Sequence, residues 1–174
     1  MANTCRTDII IKASKKAIDN FVERFDKCVD GSYPNTENDS PHIIDEFGAK
    51  AELLIDRIGS KWVAIWDGGI SYHDDREGSS EVHLSLESAW YPPSDMILEI
   101  YRQMAEIDDE IKISGKYWDE GYQPIGVFEV YYGEIISEEQ DIDEDDDREY
   151  FWDDVIEPAF DKLQKKLDKR MKEI

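Results

Sequence analysis

Residues 61–90 read KWVAIWDGGISYHDDREGSSEVHLSLESAW, and the order of elements is read outward from them. Residues 61–71 and 81–90 alternate apolar with polar positions and are rich in β-branched and aromatic side chains. The segment between them, YHDDREGSS, has the composition of a turn. The pair is therefore predicted to be a β-hairpin. Directly after it, Pro92-Pro93-Ser94 opens a helix, since proline is tolerated in a first turn, and Ile97, Ile100, Tyr101 and Met104 form its apolar stripe. Two further strands are expected at 110–117 and 127–136, joined by the polar, Gly-containing turn WDEGYQPIG. Upstream, residues 8–13 (DIIIKA) read as a buried strand and Ser14 as an N-cap. Ile18, Phe21, Val22, Phe25 and Val29 then repeat at helical spacing until Asp30-Gly31 stops them. SYPNTENDSPH is a surface loop by composition, and 49–58 a short helix with Ala51, Leu54, Ile55 and Ile58 facing inward. The order is β-α-β-β-α-β with one extra strand, an α+β chain built on a mainly antiparallel sheet.

A chain of 174 residues, 40% of them apolar, suffices for one ordinary core and is short for two. The expected division is one α+β domain over 1–137, an acidic loop over 138–154 (with EEQDIDEDDDREY almost free of apolar residues) and an amphipathic helix over 155–174. In that helix Ile156, Phe160, Leu163, Leu167, Met171 and Ile174 follow each other at steps of four and three, a seam that must be buried. Packing on the chain's own sheet is the expected solution; a homodimer through this helix is the alternative.

Acidic residues outnumber basic ones by 42 to 20, and the resulting charge of −22 repels phosphate backbones and anionic lipid. Direct partnership with nucleic acid or membrane is disfavoured on that ground. Cys5 and Cys28 have neither CxxC nor zinc-type spacing, no apolar h-region follows Met-Ala-Asn-Thr, and no run approaches the ~18 apolar residues of a membrane span. The expected location is a reducing cytoplasm, with both thiols free.

Three local motifs carry a resemblance. Gly59-Ser60-Lys61-Trp62 resembles a GTKW element, Ser88-Ala89-Trp90-Tyr91-Pro92-Pro93 a TAWSPP element, and Tyr117 with Glu120-Gly121 and Gly126 a Y-x-x-x-G turn. Together, in this order over about residues 59–130, they resemble the Api92/YubB-like proteins of phages and plasmids. The resemblance implies a ferredoxin-like domain and a mobile-element origin; that family has no established catalytic residues to carry over.

The residues themselves offer little chemistry. Asp143-x-Asp145-x-Asp147, with Asp154 further on, has some calcium-loop character but lacks the glycine at the sixth position and the bidentate glutamate, so a solvated acidic loop is expected and no metal. His42, His73 and His83 are scattered without zinc-type partners, and His73 and Asp74, neighbours on a strand, point to opposite faces. No GxSxG, P-loop or dinucleotide fingerprint occurs, no cofactor is implied, and no enzyme activity is expected. Trp62, Trp66 and Trp90 are expected in the core. Trp118 and Trp152, flanked by acids, are the expected exposed contacts.

Counting strand directions sorts the loops into two ends. The upper end is expected to gather the hairpin tip (Asp74, Asp75, Glu77, Glu81) and the helix-to-strand turn (Glu106, Asp108, Asp109, Glu110). It is also expected to receive the start of the 138–154 run, with Asp143, Asp145, Asp146 and Asp147. The lower end receives the three motifs. Residues 161–174 hold six Lys/Arg against three Asp/Glu, leaving 14 against 39 and a charge of −25 on the rest, so this helix end could neutralise part of the acidic pole. Two functions are weighed. The first is a non-enzymatic inhibitor that uses the acidic pole as a DNA mimic on a basic surface of a bacterial host or defence protein. The second is a small-ligand or nucleotide site at the lower end, built by Lys61, Trp62, Trp90, Tyr91 and Glu120.

Overall fold

Strand β1 (Thr4–Ser14) is the spine of the molecule because it pairs on both edges, with β3 (Ser79–Ala89) and with β4 (Lys112–Asp119). Its side chains alternate: Cys5, Thr7, Ile9 and Ile11 are buried on one face while Arg6, Asp8 and Lys12 take the other. The sequence expectation of 8–13 was short because the polar residues Arg6 and Thr7 mask the alternation that begins at Thr4. The computed structural model describes residues 3–29, 41–74, 79–143 and 150–174.

Two helices and two strands follow the expected order. Helix α1 (Lys15–Val29) starts at Ser14, whose Oγ accepts the Ala17 amide, and buries Ile18, Phe21, Val22 and Phe25. Strand β2 (Val63–Asp74) forms the predicted hairpin with β3, with a register irregularity between Ile65 and Ile70. Helix α4 (Ser94–Ala105) buries Met96, Ile97, Ile100 and Met104.

Between α1 and β2 lie two short helices. Helix α2 (Pro41–Phe47) takes in Pro41 and His42, expected as the end of the surface loop whose residues 32–40 lie outside the described ones, and adds the unassigned Ile43, Ile44 and Phe47 to the core, the Phe47 ring centroid 5.2 Å from that of Phe21. Helix α3 (Leu54–Ile58) is shorter than the expected 49–58 and buries only Ile58; Ala51, Leu54 and Ile55 are exposed rather than inward. Five residues make little more than one helical turn, which turns only one of these side chains fully to the core.

The strand expected at 127–136 is two strands. Strand β5 (Ile125–Tyr131) turns back at Tyr132-Gly133 into β6 (Glu134–Gln140), and both turn residues have positive φ, 49° and 81°. That is the backbone of a two-residue hairpin, in which glycine bears the left-handed conformation without cost and tyrosine bears it with strain. The result is a six-stranded sheet in the order β2-β3-β1-β4-β5-β6, with every neighbouring pair antiparallel.

One face of this sheet is covered by α1, α2 and α4. The other is covered by a π-helical turn (Trp152–Ile156) that runs into α5 (Glu157–Glu173). Ile156, Phe160, Leu163 and Leu167 are buried against Trp118, Ile125 and Val127, so the C-terminal seam is spent on the chain's own sheet; Ile174 remains exposed. Among the described residues no helix is long and apolar enough to cross a membrane.

Candidate functional site

The three sequence motifs converge at the lower end, and local chemistry explains how. Gly59 closes α3 with φ 74°, and a Cβ there would collide with Ser94 and Asp95 at the start of α4. Ser60, 4% exposed, accepts the Ala89 amide at 3.0 Å and donates to the Ala89 carbonyl at 3.1 Å. Lys61 Nζ then sits 4.2 Å from the centre of the Trp90 ring, a cation–π contact. In the third motif the Tyr117 ring fills the space where any side chain on Gly126 would stand.

Trp90 is held in the left-handed region, at φ 63°, where a bulky residue is an outlier. Its amide donates to Asn3 O at 2.9 Å, the Tyr91 amide donates to Ala89 O at 2.8 Å, and Ser88 Oγ donates to Tyr91 O at 2.7 Å. The indole is turned outward, 41% exposed, beside Tyr91 at 57%.

The neighbouring turn is built on Asp119, 5% exposed. Its Oδ1 accepts the amides of Gly121 and Gln123 and its Oδ2 the Asn3 side chain. The Glu120 amide bonds Thr4 O at 3.0 Å while its side chain faces solvent. Nearby, Tyr117 OH donates to Glu139 at 2.6 Å, and burial together with that carboxylate pushes the phenol well above its ordinary pKa. A cavity of about 330 Å³ opens here, lined among others by Gly59, Tyr91, Pro92, Ser94, Tyr117 and Phe128. Of the five residues assigned to a lower-end ligand site, Tyr91 lines it, whereas Lys61, Trp62, Trp90 and Glu120 do not.

At the upper end the α4–β4 turn and the end of the β2–β3 hairpin meet β1. The Asp108 carboxylate accepts the amides of Ser14 and Glu110, and these hydrogen bonds, Ser14 first, hold it below the usual aspartate range. Glu106 pairs with Arg102 at 2.7 Å, and Asp109 and Glu110 are exposed. Glu81 pairs with His83 and Lys12. Asp74 ends β2 with its backbone opposite Ser80, while Asp75 and Glu77 lie outside the described residues.

The third acidic segment goes to the other end. Because β6 runs back down the sheet, Gln140 pairs with Ile125 and the Ile142 amide bonds Tyr122 O, so Asp141 and Asp143 leave from the lower end. This overturns the single acidic pole; Asp145, Asp146 and Asp147 lie outside the described residues. Arg170 on α5 bonds Glu138 at 3.3 Å and the Ser137 carbonyl at 3.2 Å, so the basic helix end meets the β6 strand rather than the upper turn.

The expectations for Trp90 and Trp118 are reversed. Trp118 is 6% exposed under α5 and packs edge-on to the half-buried Trp152 of the π-helical turn, ring centroids 5.2 Å apart, whereas Trp90 is outside the core. Trp62 is half-buried and the Trp66 side chain lies outside the described residues. The docking of α5 decides this, since it puts a second apolar layer on the face that carries Trp118.

A groove that no motif announced lies on the sheet face beside α5. It has a volume of about 530 Å³, a floor that includes Ile10 and Val127, and polar walls that include Asp8, His83, Ser85, Lys116 and Glu157. Its lining comes from residues 8 to 164, and such separation leaves no local sequence signal. Several of its polar groups are already engaged: Ser85 donates to Asp8 at 2.8 Å, His83 contacts Glu81 at 2.7 Å and Lys116 pairs with Glu157 at 3.2 Å.

Burial raises both thiols, Cys5 to about 12. No group of three or more His, Cys, Asp or Glu suited to a metal occurs among the described residues. The chain matches no family model, no curated protein and no solved structure.

Proposed function

We propose that this chain is a non-enzymatic, acidic interaction protein that occupies a basic, nucleic-acid-binding surface of a bacterial host or defence protein. The observation that carries the reading is the fate of the positive charge. Arg6, Lys12, Arg24, Arg57, Arg102, Lys116 and Arg170 are each ion-paired with a carboxylate of the same chain. Other lysines, among them Lys16, Lys50, Lys61, Lys112 and those of α5, are exposed, but acidic residues outnumber basic ones by 42 to 20 over the chain. In place of one pole, the acids form a band from the upper turn (Asp109, Glu110, Glu134) along the β6 strand to Asp141 and Asp143. Carboxylates in such a band compete for Lys and Arg clusters built to meet phosphates.

The origin proposed is a phage or plasmid, acting in the bacterial cytoplasm, and it rests on the motif resemblance to Api92/YubB-like proteins. The position of β3 between β1 and β2 supports a ferredoxin-like core, because it is the split β-α-β arrangement of such units; β5, β6 and α5 are then additions. The test is affinity purification of the tagged chain from infected or plasmid-bearing cells. A stoichiometric partner that is displaced by duplex DNA and by salt is expected. A partner indifferent to both would overturn the reading.

A second reading has the lower-end cavity behind it. Its size suits a small polar molecule or nucleotide held between Tyr91, Ser94 and Tyr117. Saturable binding of a nucleotide that Tyr117→Phe weakens would favour it over the first.

A further inference from the structure

We propose that Trp90, with Tyr91 and the exposed apolar residues of α3, is the anchor of the partner interface, and that it seats in an apolar pocket rimmed by Lys and Arg. This rests on reading the chain as an acidic interaction protein and names the surface that does the holding. The carboxylate band steers the encounter.

The first ground is conformational. A left-handed backbone is unfavourable for a non-glycine residue, and glycine or asparagine would take position 90 more easily. Here the conformation is enforced by hydrogen bonds from both neighbouring peptide units, and the outcome is an indole directed to solvent beside a second exposed ring. Lys61 supports that ring from the side, which fixes its orientation before any partner arrives.

The second ground is the company the ring keeps. Leu53, Leu54 and Ile55 are 61%, 39% and 50% exposed. They are joined to Lys61 by one short turn of helix: at 1.5 Å per residue, Leu54 lies about 8 Å along the axis from Gly59. By contrast Tyr132, the most exposed aromatic among the described residues, stands at the β5–β6 turn at the upper end.

The third ground is charge. Exposed Glu52, Asp56 and Glu120 flank this end; of its cations Lys61 is committed to Trp90 and Arg57 to Asp45, while Lys50 is exposed. An aromatic anchor inside a carboxylate rim complements an apolar pocket inside a cationic rim. Tryptophan and tyrosine are the side chains that most often carry binding energy at such centres.

The experiment is selection of a random-peptide display library on the immobilised full chain, followed by affinity measurements on variants. Enriched peptides are expected to combine apolar anchors with Lys or Arg. They are expected to lose roughly 30-fold or more in affinity on Trp90→Ala and a comparable amount on Tyr91→Ser, and nothing on Tyr132→Ser. Far-UV circular dichroism separates lost binding from lost folding. Tyr91→Ser, at a mostly exposed position, keeps the question open to test if Trp90→Ala does not fold. Basic peptides indifferent to both lower-end substitutions would overturn this inference and leave the acidic-interaction reading standing. Peptides that depend on Trp90 but carry no Lys or Arg would keep the aromatic anchor and overturn its cationic rim, and with it the acidic-interaction reading. No enrichment at all would overturn the anchor.

Discussion

Asp108 shows how one carboxylate assigned to a partner surface also serves the fold. It accepts the amides of Ser14, where β1 passes into α1, and of Glu110, where α4 has handed over to β4. Its folded pKa lies below the ordinary aspartate value near 3.9, so as pH falls the unfolded chain takes up the proton first. Its stabilisation is therefore complete above the unfolded pKa and lost as pH drops through the folded one. Glu81, lowered first by His83, and Glu99, lowered first by Arg102, titrate with the same sign. Asp108→Asn is expected to cost about 0.5–1 kcal/mol at pH 7, the low end for a cap because the group is exposed. Urea unfolding at pH 7 and near pH 3 checks this: the difference between the variant and the parent chain should be smaller at the second than at the first. A gap undiminished in acid would mean that the carboxylate's charge is not what matters there.

At the scale of the element, α5 is decisive. Its seam was readable from spacing alone, and its burial of Phe160, Leu163 and Leu167 on β5 and β6 shows where that seam goes. Leu163→Ala is expected to destabilise by about 2–5 kcal/mol, while Lys166→Ala on the solvent side stays within about 0.5 kcal/mol. Tryptophan fluorescence follows the same event, because Trp118 lies beneath the helix and packs against Trp152 at its start. A neutral Leu163→Ala would mean that the helix is not docked in solution. The β6 strand also depends on its chemistry. An edge strand carrying Glu134, Glu138 and Glu139 repels edge-to-edge pairing with another chain.

For the whole molecule, the charge of −22 sets the terms. Carboxylates at both ends of the sheet repel one another over distances that low salt leaves unscreened, since the Debye length falls from about 30 Å at 0.01 M to about 8 Å at 0.15 M. Salt weakens the exposed ion pairs as well, but each of those contributes little. The thermal midpoint is therefore expected to rise by a few degrees over that range, measured by circular dichroism with sodium chloride. A falling midpoint would mean that the ion pairs outweigh the repulsion.

The sequence by itself determined the β-α-β-β-α order, the faces of α1 and α4, the amphipathic seam of α5 and the sign of the surface. These depend on periodicity and composition, which are local. It did not determine the second hairpin, because Tyr132 conceals a two-residue turn that only the left-handed backbone at 132 and 133 reveals. That one turn reverses β6, sends Asp141 and Asp143 to the opposite end from Asp108, and so replaces a pole with a band. Which tryptophans are buried was likewise settled in three dimensions. Trp118 is covered by a helix some forty residues later, and Trp90 is turned outward by bonds to Asn3 and to its own neighbours. Burial depends on what arrives from elsewhere in the chain, and a strand's own alternation cannot say which of its two faces another layer will cover.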